Sequence, residues 1–326
     1  MAPVARALAK QLKQSVTFVP AVTGLTVTAA VAASKPGDVL MLENLRFVPG
    51  EDAASLPFAR QLARLGDLFV FDAFGVAHRT TATTTTLKRL LPSFAGLLVQ
   101  SEVAALSGVL DRPKRPLTAI IGGAKISTKI QLVQRLLPHV DYLCLGGALA
   151  NTLLSAQGVQ VGRSIVEPEF VKELKRLRLT DTKLKLPVDV VVSQSLVKPV
   201  GLRRTAVANV RPNERIVDVG PDTVALFGRV ARASRTVVWN GPIGIYEVPG
   251  FARSTRALAR VLADLSATTV VGGGETLDAI RSQGLSRSFT HLCTGGGAML
   301  AFLEGKQLPG LSGAVAVHSP HREPTT

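Results

Sequence analysis

Four glycine-rich strings in this chain carry, or sit beside, groups suited to hold a polyanion. The first, Gly122-Gly123-Ala124-Lys125-Ile126-Ser127-Thr128-Lys129, sets two lysines four residues apart, which would share one face if a helix starts there. The others are Gly146-Gly147, Gly272-Gly273-Gly274-Glu275-Thr276 and Thr294-Gly295-Gly296-Gly297. Glycine lets backbone amides approach a ligand closely, and amides at a helix start hold anionic oxygens. Lys125 and Lys129 would add full positive charge beside them. One Gly-Gly pair signals only a tight turn. Four of them, each closing a short apolar run, point to phosphate.

A second group lies earlier. Leu42-Glu43-Asn44-Leu45-Arg46-Phe47 and Asp72-Ala73-Phe74-Gly75-Val76-Ala77-His78-Arg79 each deliver an arginine just past an apolar run. Two guanidinium forks are suited to clamp a carboxylate or phosphate, although either arginine taken singly reads as a surface residue. No string fits the Walker pattern, and no complete G-x-G-x-x-G follows a first strand, which argues against a P-loop enzyme and a nicotinamide dehydrogenase.

The elements that must position these groups are legible as apolar runs rich in β-branched residues at 15–19, 38–42, 68–71, 117–121, 142–145, 189–192, 236–239, 268–271 and 291–293, each followed by a helical pattern. Short buried strands alternating with helices predict a parallel sheet covered on both faces. In such sheets the carboxyl ends of the strands form the ligand crevice, so the glycine strings should converge on one rim. At 326 residues the chain favours two domains. The helical spacing over 99–110, closed by Pro113 and Pro116, reads as a connector between them.

Composition narrows the rest. Apolar residues make up 46% and charged residues 19%, and no apolar run approaches the roughly 20 residues of a membrane helix, so a soluble protein with no membrane partner is expected. Aromatic content of 5% argues against a stacking platform for single-stranded nucleic acid. The net charge of +15 implies attraction for polyanions, leaving nucleic acid, anionic lipid and phosphorylated metabolites all open. Residues 1–15 read as an amphipathic helix rather than a signal peptide. Cys144 and Cys293 lie far apart with no zinc spacing or disulfide framework, so a reducing cytoplasm is the expected location.

Taken together, the strings at 42–47, 72–79, 122–132, 186–189, Val238-Trp239-Asn240-Gly241-Pro242-Ile243-Gly244, 272–276 and 294–298 resemble the phosphoglycerate kinase family in order and spacing. The resemblance runs from about residue 3 to residue 311. It implies two doubly wound, Rossmann-like α/β domains joined by a hinge helix: an acid-substrate domain at 1–95, an interdomain helix at 96–112, a nucleotide domain at 113–304, and a segment at 305–326 returning toward the first domain and ending in a disordered tail. It also implies a monomer that moves a phosphoryl group between 1,3-bisphosphoglycerate and ADP, giving 3-phosphoglycerate and ATP, with Mg2+ as cofactor and domain closure uniting the substrates. Carried over residue by residue, Gly123, Ala124 and Lys125 would meet the nucleotide phosphates and Lys129 the transferring group. Asn240, Pro242 and Gly244 would line the nucleotide pocket with Glu247 on the ribose. Glu275 would bind the metal, and Gly273 and Thr276 would lie toward the phosphates. Gly295, Gly296 and Gly297 would open a helix aimed at the transferring group, and Arg46 and Arg79 would hold the acid.

The chain also departs from the family. Thr128 and Glu275 stand where the family has aspartates, Ala148 where it has a glycine, and Cys293 where serine is common. The family's Arg-Asp-x-Asn-Val-Pro and Ser-His-x-Gly-Arg-Pro strings are absent, so the expectation is a member lacking its N-terminal segment, about a fifth of the family length. Its N-terminal domain would be incomplete, with an unpaired apolar sheet edge and a depleted substrate cradle. Two other readings compete: a nucleotide-binding remnant without turnover, and a basic protein that binds RNA or DNA, which the lack of a nucleic-acid motif disfavours.

Overall fold

Apolar and β-branched runs do form the strands, and the described residues of the computed structural model are 1–125, 127, 129–171 and 182–312. Two units divide the chain, one of Met1–Gln100 with the described residues 307–312, the other Ser101–Lys306. The first contains α1 (Ala2–Leu12), β1 (Val16–Val19), α2 (Leu25–Ala33), β2 (Val39–Leu42), α3 (Pro49–Asp52), α4 (Leu56–Ala63), β3 (Phe69–Phe71) and β4 (Ser93–Ala95). β1 runs parallel to β2 and β3 parallel to β4, in two separate two-stranded sheets. The Ser55 hydroxyl caps α4 by accepting the Phe58 amide, supplying one of the partners a helix start lacks.

The buried face of α4, Phe58, Ala59 and Leu62, packs with Val22, Ala82 and Leu87 into a core belonging to this unit. The threonine-rich stretch forms a π-helical turn, Ala82–Thr86, capped by reciprocal Thr81 and Thr84 bonds. Buried Glu51 accepts the Thr83 amide at 3.2 Å and its hydroxyl at 2.5 Å. The buried Lys88 ammonium donates to the carbonyls of Pro309, Gly310 and Ser312 at 2.8, 2.9 and 2.8 Å. Where an incomplete domain was expected, these residues close a hydrophobic core and satisfy their buried charges within the unit.

The second unit begins within α5 (Leu97–Leu110), the helix expected as connector. It continues through β5 (Leu117–Ile121), α6 (Ile130–Leu136), β6 (Tyr142–Leu145), α7 (Gly147–Ala156), β7 (Leu184–Lys185), β8 (Asp189–Ser193), β9 (Arg203–Ala206), β10 (Arg215–Val219), α8 (Pro221–Arg232), β11 (Thr236–Asn240), α9 (Arg253–Ala263), β12 (Thr268–Gly272), α10 (Gly274–Arg281), β13 (His291–Leu292) and α11 (Gly296–Leu303). Six strands form a parallel sheet in the order β13-β12-β11-β5-β6-β7. All five residues of β5 and of β11 are buried, as a sheet covered on both faces requires. Trp239, Phe227, Leu258 and Ile280 fill the layer against one face.

One expectation of the parallel pattern fails. The run at 189–192 becomes β8, the centre of a separate antiparallel sheet ordered β10-β8-β9. Three consecutive valines, Val190 to Val192, carry no information about strand direction, and the neighbouring β9 alternates between buried and exposed positions, the mark of an antiparallel strand with one wet face. The polar tail expected to be disordered lies largely outside the described residues, as does Thr128.

Candidate active site

Strand order reverses between β5 and β11, because β6 and β7 continue on one side and β12 and β13 on the other. The loops leaving β5 and β11 therefore part at the switch point and open a crevice at the strands' carboxyl ends. A cavity of about 660 Å³ occupies it, lined by Gly123, Ala124, Lys125, Lys129, Asn240, Pro242, Gly244, Glu247, Gly273, Glu275 and Gly296 among others. The Gly122 amide extends the ladder to Asn240 O at 2.9 Å, which keeps the two loops in contact beyond the strands. Gly241 has φ +87°, and a Cβ there would meet the Gly122 carbonyl and the Lys129 ammonium, so only glycine fits.

Lys125 and Lys129 do not share a helical face, which corrects the expectation from their spacing: α6 begins at Ile130, Lys129 is its N-cap with φ −129°, and Lys125 lies in the preceding loop. Lys129 is 8% exposed, and its ammonium donates to the Gly122 carbonyl. Burial pushes its pKa down to about 8, against an opposing pull from the Glu275 carboxylate. Facing it are the starts of α10 and α11, with Gly273, Glu275 and Gly296 on the cavity wall and Gly295 as the buried N-cap of α11. Unsatisfied amides and the dipole at such starts favour anionic oxygens. Thr276 is fully buried, and its Oγ1 has no partner among the described residues.

Much of the remaining wall is apolar, with Ile165, Leu196, Val197, Ile245 and Leu300 beside Pro242 and Gly244. An apolar slot joined to a polar, cationic end suits a purine base attached to a phosphate chain. The resemblance placed Pro242 and Gly244 here, whereas Ile165, Leu196, Val197, Ile245 and Leu300 were missed, since they come from four separate segments. Sequence reasoning also missed Asp218 of β10, which lines the cavity at 1% exposure. Its carboxylate accepts the Val219 and Ser254 amides, both at 2.9 Å, so it caps the start of α9 across the fold. Burial raises its pKa to about 7 against those hydrogen bonds. A buried acid inside an apolar strand was the only available signal, and β10 was not recognised as a strand.

Arg46 and Arg79 belong to the first unit, on the turns after β2 and β3. Arg46 pairs with Asp52 at 3.3 and 3.4 Å with both side chains about half exposed, a contact weak enough to be exchanged for a ligand. Arg79 is exposed, and His78 beside it is held below its usual pKa by burial and by the Arg79 charge.

A parallel sheet split at its switch point, with glycine-opened helices and a buried lysine facing one carboxylate, defines an α/β protein of the nucleotide-dependent phosphotransferase class. Comparison with known proteins narrows this. A family model for phosphoglycerate kinase matches residues 1–306. The phosphoglycerate kinase of Pelotomaculum thermopropionicum is 45% identical over 315 residues, 95% of this chain and 80% of its own length. That of a Roseiflexus species is 43% identical over 318 residues, 96% of this chain and 80% of its own. Among solved structures, phosphoglycerate kinase from Coxiella burnetii superposes with a TM-score of 0.81 at 40% identity, covering 95% of this chain and 79% of that one. The Pyrococcus horikoshii enzyme gives 0.86 at 28% identity, covering 97% and 82%.

The chain belongs to the phosphoglycerate kinase family. Its activity is transfer of a phosphoryl group between 1,3-bisphosphoglycerate and ADP, giving 3-phosphoglycerate and ATP. The expectation of a member without its N-terminal segment is overturned by the family match, which begins at residue 1, and by relatives that align with 95–96% of the chain. The chain spans about four-fifths of the length of those relatives. Among the described residues no helix is long and apolar enough to cross a membrane.

Proposed function

We propose that the cavity at the switch point of the second unit is the nucleotide site, with the purine in the apolar slot by Pro242 and Gly244 and the ribose near Glu247. Gly123, Ala124, Lys125, Asn240 and Gly273 contact the nucleotide and its phosphates, and the starts of α10 and α11, with Gly295 and Gly296, face the transferring group. The acid substrate is held by Arg46 and Arg79 of the first unit. The segments 1–95, 96–112 and 113–304 act as acid domain, connector and nucleotide domain, in a monomer of a reducing cytoplasm.

In the ATP-forming direction the bond from phosphorus to the acyl oxygen breaks, and a bond from phosphorus to a β-phosphate oxygen of ADP forms. The electron pair of the broken bond stays on the carboxylate of 3-phosphoglycerate. No proton needs to move. The protein's task is alignment and neutralisation of the equatorial oxygens. The buried Lys129 ammonium, which gives up only a carbonyl contact to reach a phosphoryl oxygen, supplies charge where solvent screening is weak.

Family membership implies Mg2+. The donors fit it: Glu275 offers a carboxylate at the cavity wall and Thr276 an unsatisfied buried hydroxyl, and this ion takes oxygen ligands with one or two carboxylates and substrate phosphates. When bound, it neutralises phosphate charge.

The observation that supports the assignment most is the meeting of Lys129, Glu275 and Gly296, from three distant segments, on one cavity. Calorimetry of Mg2+–ADP binding to Glu275→Gln and to Gly296→Val tests it. Both should weaken binding at least tenfold without lowering the melting temperature by more than a few degrees, and unchanged affinity in both would refute it.

A further inference from the structure

Away from the cavity, three chemically unlike side chains meet inside the second unit. Glu102 of α5 is fully buried, as is Cys293, and His291 of β13 is 15% exposed. Their carboxylate, thiol and imidazole donor atoms all lie within 4.8 Å of one another. The Glu102 carboxylate is divided in use. Oε1 accepts the Thr294 amide and hydroxyl at 2.6 and 2.7 Å, whereas Oε2 faces His291 Nε2 at 2.9 Å. The Cys293 thiol completes the group beside the same carboxylate.

From this geometry we propose that Glu102 Oε2, His291 Nε2 and Cys293 Sγ form a binding site for a borderline-soft divalent cation of the zinc class. One sulfur, one imidazole nitrogen and one carboxylate oxygen are the donors such ions take, and Mg2+, which demands oxygen, does not compete for them. Three donors on such an ion at about 2.0–2.3 Å stand roughly 3.3–3.8 Å apart, so the side chains need only small shifts. The Cys293 thiol proton leaves to solvent, and a neutral His291, whose Nε2–H faces Oε2 before binding, carries its one proton on Nδ1 once the ion takes Nε2. An imidazolium His291 would release a second proton. Thiolate and carboxylate then cancel the ion's double charge, which suits a buried position. The fourth coordination position would fall toward His291, which alone of the three ligands is partly exposed, and take water.

Oε1 keeps its grip on Thr294 throughout. The ion therefore fixes the residues leading into α11, whose Gly296 lines the nucleotide cavity, and occupancy should slow turnover.

The test uses Co2+ alone as the probe, titrated into the whole protein in the presence of excess Mg2+. The expected result is one equivalent bound, with a thiolate-to-cobalt charge-transfer absorption that Zn2+ abolishes on displacement. Cys293→Ser should lose the band, and Cys144→Ser, which alters the other buried thiol, should retain it. His291→Gln leaves the thiol in place and should weaken Co2+ binding by about tenfold or more. Melting temperatures of each variant establish that it is folded. No band in the unaltered protein, a band surviving Cys293→Ser, or one indifferent to His291→Gln would overturn the site.

Discussion

Replacing Asp218 by asparagine should change how stability depends on pH more than it changes stability itself. The carboxyl is 1% exposed, and no ion pair to it is found among the described residues. Burial raises its pKa from 3.8 to about 7 despite the amides of Val219 and Ser254. The sign follows from proton counts. Between the unfolded and folded values the native state holds the proton that the unfolded state has released, so stability falls as pH rises through that window and levels off above about pH 7. A shift of this size corresponds at most to about 4 kcal/mol, of which between about 2 and 3 kcal/mol falls between about pH 5 and pH 8. Asparagine does not titrate, but it turns one acceptor oxygen into a donor facing a backbone amide, at a roughly pH-independent cost of about 1–3 kcal/mol. Urea unfolding of both proteins at several pH values is the assay. The stability of Asp218→Asn relative to the unaltered chain should rise by about 2–3 kcal/mol from about pH 5 to pH 8. A difference that stays flat, or falls, would refute the reasoning.

Other outcomes follow from the same packing. Lys129→Met should lower kcat by about 10²–10⁴ while leaving Mg2+–ADP affinity within a few-fold, read by a coupled assay beside calorimetry, because the ammonium acts on the transferring group. Gly241→Ala forces a Cβ against the Gly122 carbonyl at φ +87°; it should cost about 1–3 kcal/mol in denaturant unfolding and raise the nucleotide KM. Lys88→Met strips three carbonyls of their ammonium donor and should destabilise the first unit by about 2–4 kcal/mol, measurable by urea titration, with the KM for nucleotide unchanged.

The parts of this molecule that were legible share a physical cause. β5, β11 and β12 are buried on both faces, so their sequences are runs rich in β-branched residues, and the glycines that follow stand where backbone must approach backbone or ligand. α1, α4 and α5 carry helical apolar spacing for the same reason of one-sided burial. The small antiparallel sheet was illegible because direction is set by partners: β8 looks like any buried strand until β9 and β10 pair with it. The spacing of the lysines at 125 and 129 would have put them on one face had a helix started there, whereas α6 begins only at Ile130 with Lys129 as its N-cap. Asp218 and the Glu102, His291 and Cys293 group come together through tertiary folding, and no local pattern in the sequence brings residue 102 to residue 291.

The most direct measurement is a crystal structure of the protein with Mg2+–ADP. The base should lie in the slot between Leu196, Val197, Ile245 and Pro242, with the β-phosphate against Gly123, Lys125 and the start of α10 and the metal on Glu275. A nucleotide bound elsewhere, or one whose phosphates point away from Lys129 and Gly296, would contradict the account.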